Sequence, residues 1–101
     1  FGGEMRQTWG VPVNEIQTGI KHGVRKINVD TDNRLAITSA VRKVLSENPG
    51  IFDPRQYLGP AREAMTTVCI NRMESFGMAG QAGSVPIVSM DEMAHRYASS
   101  I

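Results

Sequence analysis

The sequence predicts an α/β fold, and one repeating unit of such a fold rather than a complete domain. Three observations carry this. A single short run of β-branched residues, at 24–29, is apolar enough to be buried. It lies between two segments whose apolar residues recur at helical spacing, and only helical patterns follow it. A buried strand between amphipathic helices is a unit of a parallel sheet or barrel, and one strand makes no sheet alone. Partner strands are therefore expected outside these 101 residues. The opening Phe1-Gly2-Gly3 reads like the middle of a loop, as in a processed chain or a piece of a longer one.

The elements follow in order. Residues 1–10 are glycine-rich and irregular, with Trp9 their one large apolar residue. Pro12 suits a first helical turn, where its missing N–H costs nothing. Val13, Ile16 and Ile20 then share one face, which predicts a helix over 11–22. Gly23 stops it, and Lys21 and His22 suit the negative end of its dipole. Val24, Ile27 and Val29 predict the strand over 24–29. The clearest helix is expected over 31–48, with Ile37, Ala40, Val41, Val44 and Leu45 on one stripe. Asp30, Thr31 or Asp32 is its candidate cap.

Residues 1–48 thus form the βα part of the chain, and 49–101 a helical extension. Asp53-Pro54 predicts a short helical turn. Pro60 predicts a longer helix through Ala61, Met65, Val68, Cys69, Met73 and Phe76 to Gly77. Residues 77–83 read as loose and 86–88 as extended. Ser89 with Glu92 is a capping-box pattern that starts a last helix carrying Met93 and Tyr97.

Bulk properties narrow the function. Net charge is +1, so no broad electrostatic case arises for nucleic acid or for an acidic membrane surface. No apolar run approaches the ~20 residues that span a bilayer. The single cysteine, Cys69, excludes an intrachain disulfide and suits a reducing, cytoplasmic setting. Metal-ligand spacing is poor, since His22 and His95 are far apart and there is no second cysteine. Cys69 reads as core, His22 as a helix end and His95 as an exposed helical residue.

Chemistry is expected where the strand ends and the next helix begins, in "KINVDTDNRLA". Ligands of α/β folds gather at strand C-termini. A helix mouth there offers unpaired N–H groups and a positive dipole end, which bind phosphate, and Thr31 adds a hydroxyl donor. Asp30 and Asp32 repel a phosphate, so they read as caps or as groups that orient a neighbour. Asn28 has both a donor and an acceptor for a carbonyl or hydroxyl. The competing reading is that Asp-Thr-Asp only caps a helix. Arg34 and Arg55 are candidate clamps for a second anion, against an ordinary solvated role for each, and Arg72 reads as a surface ion pair.

Three stretches carry a family resemblance: "TWGVPVNEIQTGIKHGVRKINVDTDNRLA", "ENPGIFDPRQYL" and "CINRMESFGMAGQA". Together they resemble the class II, metal-dependent fructose-1,6-bisphosphate aldolases, most closely the branch that includes Calvin-cycle enzymes. The likeness runs from Gly2 to about Ser99, with the segments in the family's order. Trp9, where the family more often has tyrosine, and "GSVPIVSM", where it often has a longer basic linker, depart from it.

The resemblance implies the C-terminal part of a TIM (β/α)8 barrel, comprising the last strand and its flanking helices, plus a C-terminal helical extension. It implies reversible aldol cleavage of fructose 1,6-bisphosphate to dihydroxyacetone phosphate and glyceraldehyde 3-phosphate. It also implies Zn2+, with a monovalent cation as a further candidate, and places the metal ligands and the acid/base outside this segment. By the same resemblance Asn28 contacts the dihydroxyacetone phosphate part of the substrate. Val29, Asp30 and Thr31 belong to its phosphate site. Arg34 and Arg55 reach the distal phosphate, at least one of them across a subunit interface, and Arg72 matches an arginine of similar role in a sister branch. A homodimer or higher homo-oligomer is implied. Two alternatives stand beside this reading: a tagatose-bisphosphate aldolase, or a non-catalytic assembly piece if the chain is only 101 residues.

Overall fold

A computed structural model of the chain describes residues 1–8 and 10–99. Trp9 and the last two positions of the expected extension lie outside the described residues. The elements are α1 (Val13–Lys21), α2 (Thr31–Glu47), α3 (Pro54–Ser75), a 3-10 turn (Ala82–Ser84) and α4 (Met90–Ala98).

α1 and α3 end in the same way. Beyond α1, Gly23 takes φ +106°, its N–H donates to the Ile20 carbonyl (3.2 Å) and that of Val24 to Gly19 (3.0 Å). Beyond α3, Gly77 takes φ +73°, its N–H donates to Glu74 (3.1 Å) and that of Met78 to Met73 (2.8 Å). These are Schellman motifs. They need a residue free of Cβ at the left-handed position, and they satisfy carbonyls that the helix end would orphan.

Two expectations are corrected. The strand over 24–29 does not form among the described residues; the segment runs without ladder bonds from α1 to α2. A strand is held by its partners, and the hydrogen bonds this segment makes among the described residues are local. The Arg25 guanidinium donates to the carbonyls of Ile20 (2.9 Å) and Val24 (3.0 Å). The second correction concerns the helices expected to start separately at Pro54 and Pro60, which are one helix of 22 residues with Pro60 inside it. Proline removes one backbone donor and disfavours helical geometry in the residue before it, partly through that residue's Cβ. The preceding residue is Gly59, which has no Cβ, so the helix continues.

The helices expected over 11–22 and 31–48 are present with slightly shorter bounds. The Ser89 half of the capping box is formed, its hydroxyl accepting from the Glu92 N–H at 3.2 Å, while the Glu92 carboxylate pairs with Arg96.

The packing is dominated by α2 against α3. Leu35, Ile37, Ala40, Val41 and Val44 on α2, and Met65, Val68 and Cys69 on α3, are half-buried in the pair of helices. Ala61 alone among the described residues is fully buried, at 2% exposure. α1 is tied to the end of α3 by Gln17, whose amide donates to the Ser75 carbonyl at 2.9 Å. The body is elongated, 60 × 32 × 28 Å, with a radius of gyration of 19.3 Å. A compact chain of this length has one of about 13 Å. The structure is therefore a helical layer with open flanks rather than a closed domain around its own core.

Candidate functional site

The site is built at the start of α2, where Asp30 occupies the N-cap position. Aspartate there ordinarily accepts a hydrogen bond from one of the first free N–H groups. Here no side chain caps the helix. The Asp30 carboxylate turns instead to Arg34, one turn on, accepting from Nε at 2.9 Å and lying 2.8 Å from Nη2. The contrast within the same chain is informative. Asp53 caps α3 and Ser89 caps α4, each through its side-chain oxygen. At α2 the leading N–H groups stay open to another acceptor, at the positive end of a 17-residue helix.

This mouth faces a cavity of about 310 Å³, lined by the run from Lys26 to Asp32, by Gly10, Val11 and Ile16, and by Arg72 and Phe76 of the α3 end. Of the residues expected at the site, Asn28, Val29, Asp30, Thr31 and Arg72 come together around it. Asn28 and Thr31 are exposed and Val29 is half-buried. The Asn28 side-chain oxygen accepts from Lys26 Nζ. Its amide nitrogen thereby keeps its donors for another group.

Arg72 is held from across the fold. Its Nη2 and Nε donate to Asp32 Oδ2, at 2.9 and 3.2 Å, and its Nη1 donates to Asn71 at 2.8 Å. The Arg72 side chain is 25% exposed, so water screens this ion pair less than the Asp30–Arg34 pair, whose partners are 66% and 77% exposed respectively.

Arg34 joins the mouth only through Asp30. Arg55 does not join it. Its side chain is 90% exposed, lines neither cavity and is clamped to Asp53. The Asp53 carboxylate accepts from Arg55 Nη2 (2.6 Å), from Nε (3.0 Å) and from the Arg55 backbone N–H (3.0 Å). The Arg55 side-chain bonds, then its backbone bond, hold the Asp53 carboxyl below the ordinary aspartate value, and Asp53 raises Arg55 in turn.

Two side chains at the site were not singled out from sequence. Lys26 lines both cavities. It stands two residues before Asn28, so an extended backbone places both on one face, and that spacing was the available signal. Asn33 donates to the Val29 carbonyl (3.4 Å) and its side-chain oxygen faces Cys69 Sγ (3.8 Å), joining the 24–29 segment to α3 through α2. No local pattern announces a bridge of that kind. A second, larger cavity of about 750 Å³ borders the same segment, among Ile20, Val24, Ile27, Met73, Phe76 and Met78. Cys69 also lines it and is half-buried.

Among the described residues no three His, Cys, Asp or Glu side chains converge on a possible metal position. Nor is any of their helices long and apolar enough to cross a membrane.

Comparison with known proteins gives the same region a context. The sequence model of the family described as fructose-bisphosphate aldolase class-II matches residues 7–81. The chain is 57% identical over 99 residues to fructose-bisphosphate aldolase 2 of Cereibacter sphaeroides, covering 98% of this chain and 28% of that protein. It is 52% identical over 99 residues to the fructose-bisphosphate aldolase of Xanthobacter flavus, with the same two shares. Fructose-bisphosphate aldolase 2 of Rhodobacter capsulatus is 52% identical over 99 residues, covering 98% of this chain and 87% of that sequence. The chain thus spans a little over a quarter of the first two relatives. The uncapped mouth of α2 falls within the matched residues, and the chain belongs to the class II fructose-bisphosphate aldolase family.

Proposed function

We propose that this segment is the C-terminal part of a class II fructose-1,6-bisphosphate aldolase, in which residues 24–29, unpaired here, become the last strand of a TIM barrel once partner strands are present, with flanking helices and a helical extension. In that enzyme it supplies phosphate- and substrate-binding groups for reversible aldol cleavage to dihydroxyacetone phosphate and glyceraldehyde 3-phosphate. The observation that carries this is the open mouth of α2. An aspartate sits at its cap position without capping it, and Asn28, Thr31 and Arg72 surround the cavity beside it.

Each residue then has a distinct task. Backbone N–H groups at Thr31 to Asn33 and the Thr31 hydroxyl bind a substrate phosphate. The Asn28 amide holds a substrate oxygen near the bond that breaks, and Val29 sets the backbone between them. Fixing the phosphate and that oxygen together orients the reacting bond, which is where binding energy lowers the barrier. Asp30 and Arg34 neutralise one another at the rim. Arg34 and Arg55 serve the distal phosphate; the exposure of Arg55, away from both cavities, suits action on the site of a neighbouring subunit in a homodimer or higher homo-oligomer.

Enzymes of this family generally depend on zinc, which polarises the substrate ketone. The described residues do not fit that ion, since they hold no cluster of three ligands, and no step here runs through it.

The test is Asn28→Ala in a full-length aldolase carrying this segment. We expect kcat/KM to fall by about tenfold or more, the loss of one oriented polar contact in the transition state, while bound zinc per subunit stays unchanged. An unaltered kcat/KM rejects the assignment. Arg55→Ala is expected to impair bisphosphate cleavage more than proton exchange into dihydroxyacetone phosphate, and equal losses refute its role at the distal phosphate. Comparing fructose with tagatose 1,6-bisphosphate as substrates separates the two epimer-specific readings.

A further inference from the structure

We propose that Asp32 is a positioning residue for the anion site: it holds the Arg72 guanidinium beside the mouth of α2, so that a charged donor from the far end of α3 serves a phosphate bound there. This rests on the phosphate reading above and deepens it. Asp32 lies in the first turn of α2, where the helix dipole favours a carboxylate. Its Oδ2 accepts from both Nε and Nη2 of Arg72, forty residues away in sequence. Asn71 takes a third donor of the same guanidinium, from Nη1. An arginine has five N–H groups, so two remain, on Nη1 and Nη2.

The geometry gives the pair two effects. It fixes α3 to the start of α2 at the level of the cavity, since Arg72 and Asp32 both line it. It also holds the guanidinium plane, whose remaining donors suit a tetrahedral oxyanion better than a point charge does. Asp32 lowers the net positive charge of the site and raises its order. A carboxylate that only opposed phosphate binding would be selected against by affinity alone; one that holds the arginine in place contributes through a smaller loss of side-chain freedom on binding.

The experiment uses the full-length enzyme with Asp32→Asn, Arg72→Ala, Arg72→Lys and the Asp32→Asn/Arg72→Ala double variant. Steady-state KM and kcat for fructose 1,6-bisphosphate, competitive inhibition by inorganic phosphate, and Tm are measured. Asp32→Asn is expected to raise KM and the phosphate inhibition constant about tenfold, as a charge-assisted hydrogen bond is lost, with kcat changed far less. Arg72→Ala does the same, and the double variant is no worse than Arg72→Ala alone. Arg72→Lys, which keeps the charge and loses the fork, also raises KM and serves where Asp32→Asn yields no folded protein. A lowered Tm with both constants unchanged overturns the proposal, because the pair is then only a brace. Additive effects in the double variant overturn it as well. If Asn28→Ala and Thr31→Val alter these constants while Arg72→Ala does not, the phosphate reading stands and this inference falls; if none of the three does, the phosphate reading itself falls.

Discussion

Excising the 101 residues as a free polypeptide is expected to abolish cooperative folding, and the surface area says by how much. The chain exposes 8490 Å². A folded monomer of its 11.1 kDa mass exposes roughly 5,700 Å², and its unfolded chain about 16,000 Å². The shortfall in burial is thus about 2,800 Å². At about 25 cal/mol per Å² of apolar surface, even a fraction of that shortfall matches the ~5–15 kcal/mol net stability of a typical domain. Exposed Phe52, Ile87 and Met90 (89%, 98% and 84%) show where some of the missing cover belongs. The assay is urea unfolding of the isolated chain, followed by far-UV circular dichroism at several protein concentrations, with an aldolase assay alongside. A broad, shallow loss of helix and no activity are expected. A sharp two-state transition at a midpoint independent of concentration, with an m-value normal for 100 residues, refutes the reasoning.

Two further predictions concern single residues in the full-length protein. Gly77→Ala puts a Cβ on a backbone held at φ +73°; it should lower stability by about 1–2 kcal/mol, the cost of the left-handed conformation for a residue with a side chain, read as a shift in the urea midpoint. An unshifted midpoint means the Schellman turn after α3 reforms without glycine. Asp53 titrates below its ordinary value because Arg55 hydrogen-bonds its carboxylate. Its contribution is therefore present above the ordinary aspartate range and is lost as pH falls through the depressed folded-state value. Asp53→Asn should separate from the parent protein in Tm near neutral pH and converge with it in strong acid. A gap that persists unchanged through that range contradicts the cap.

What was legible from sequence was local. The stripe of α2, the glycine stops at Gly23 and Gly77, and the Ser89–Glu92 cap each depend on neighbours within one or two turns, and each is present. The misreadings have physical causes of two kinds. Pro60 has the look of a helix start because proline usually interrupts; Gly59 before it removes part of the steric objection, and α3 runs through. The run at 24–29 has strand composition, but pairing is a property of partners, and none lies among the described residues. Within the candidate site, Asn28 to Thr31 could be grouped from sequence because they are contiguous and lead into the mouth of α2. The Asp32–Arg72 bond could not, because no local spacing rule links residues forty apart.

On the proposed phosphate reading, that bond also accounts for aspartates at an anion site. Around the mouth of α2 stand two carboxylates, Asp30 and Asp32, and three cations, Lys26, Arg34 and Arg72, a balance of +1. Each carboxylate is already matched. Asp30 is taken by Arg34, four residues on, and Asp32 by Arg72 from the other long helix. Neither is left to repel a phosphate, and Asp30, by turning to Arg34, leaves the N–H groups uncovered that a capping aspartate would occupy. Lys26 is the surplus charge, and it lies on the Asn28 side chain. On the proposed reading the arginines thus do two things at once: they offset the charge of the two aspartates, with Arg34 also drawing Asp30 away from capping, and they bring positive charge to an opening whose backbone N–H groups suit a phosphate.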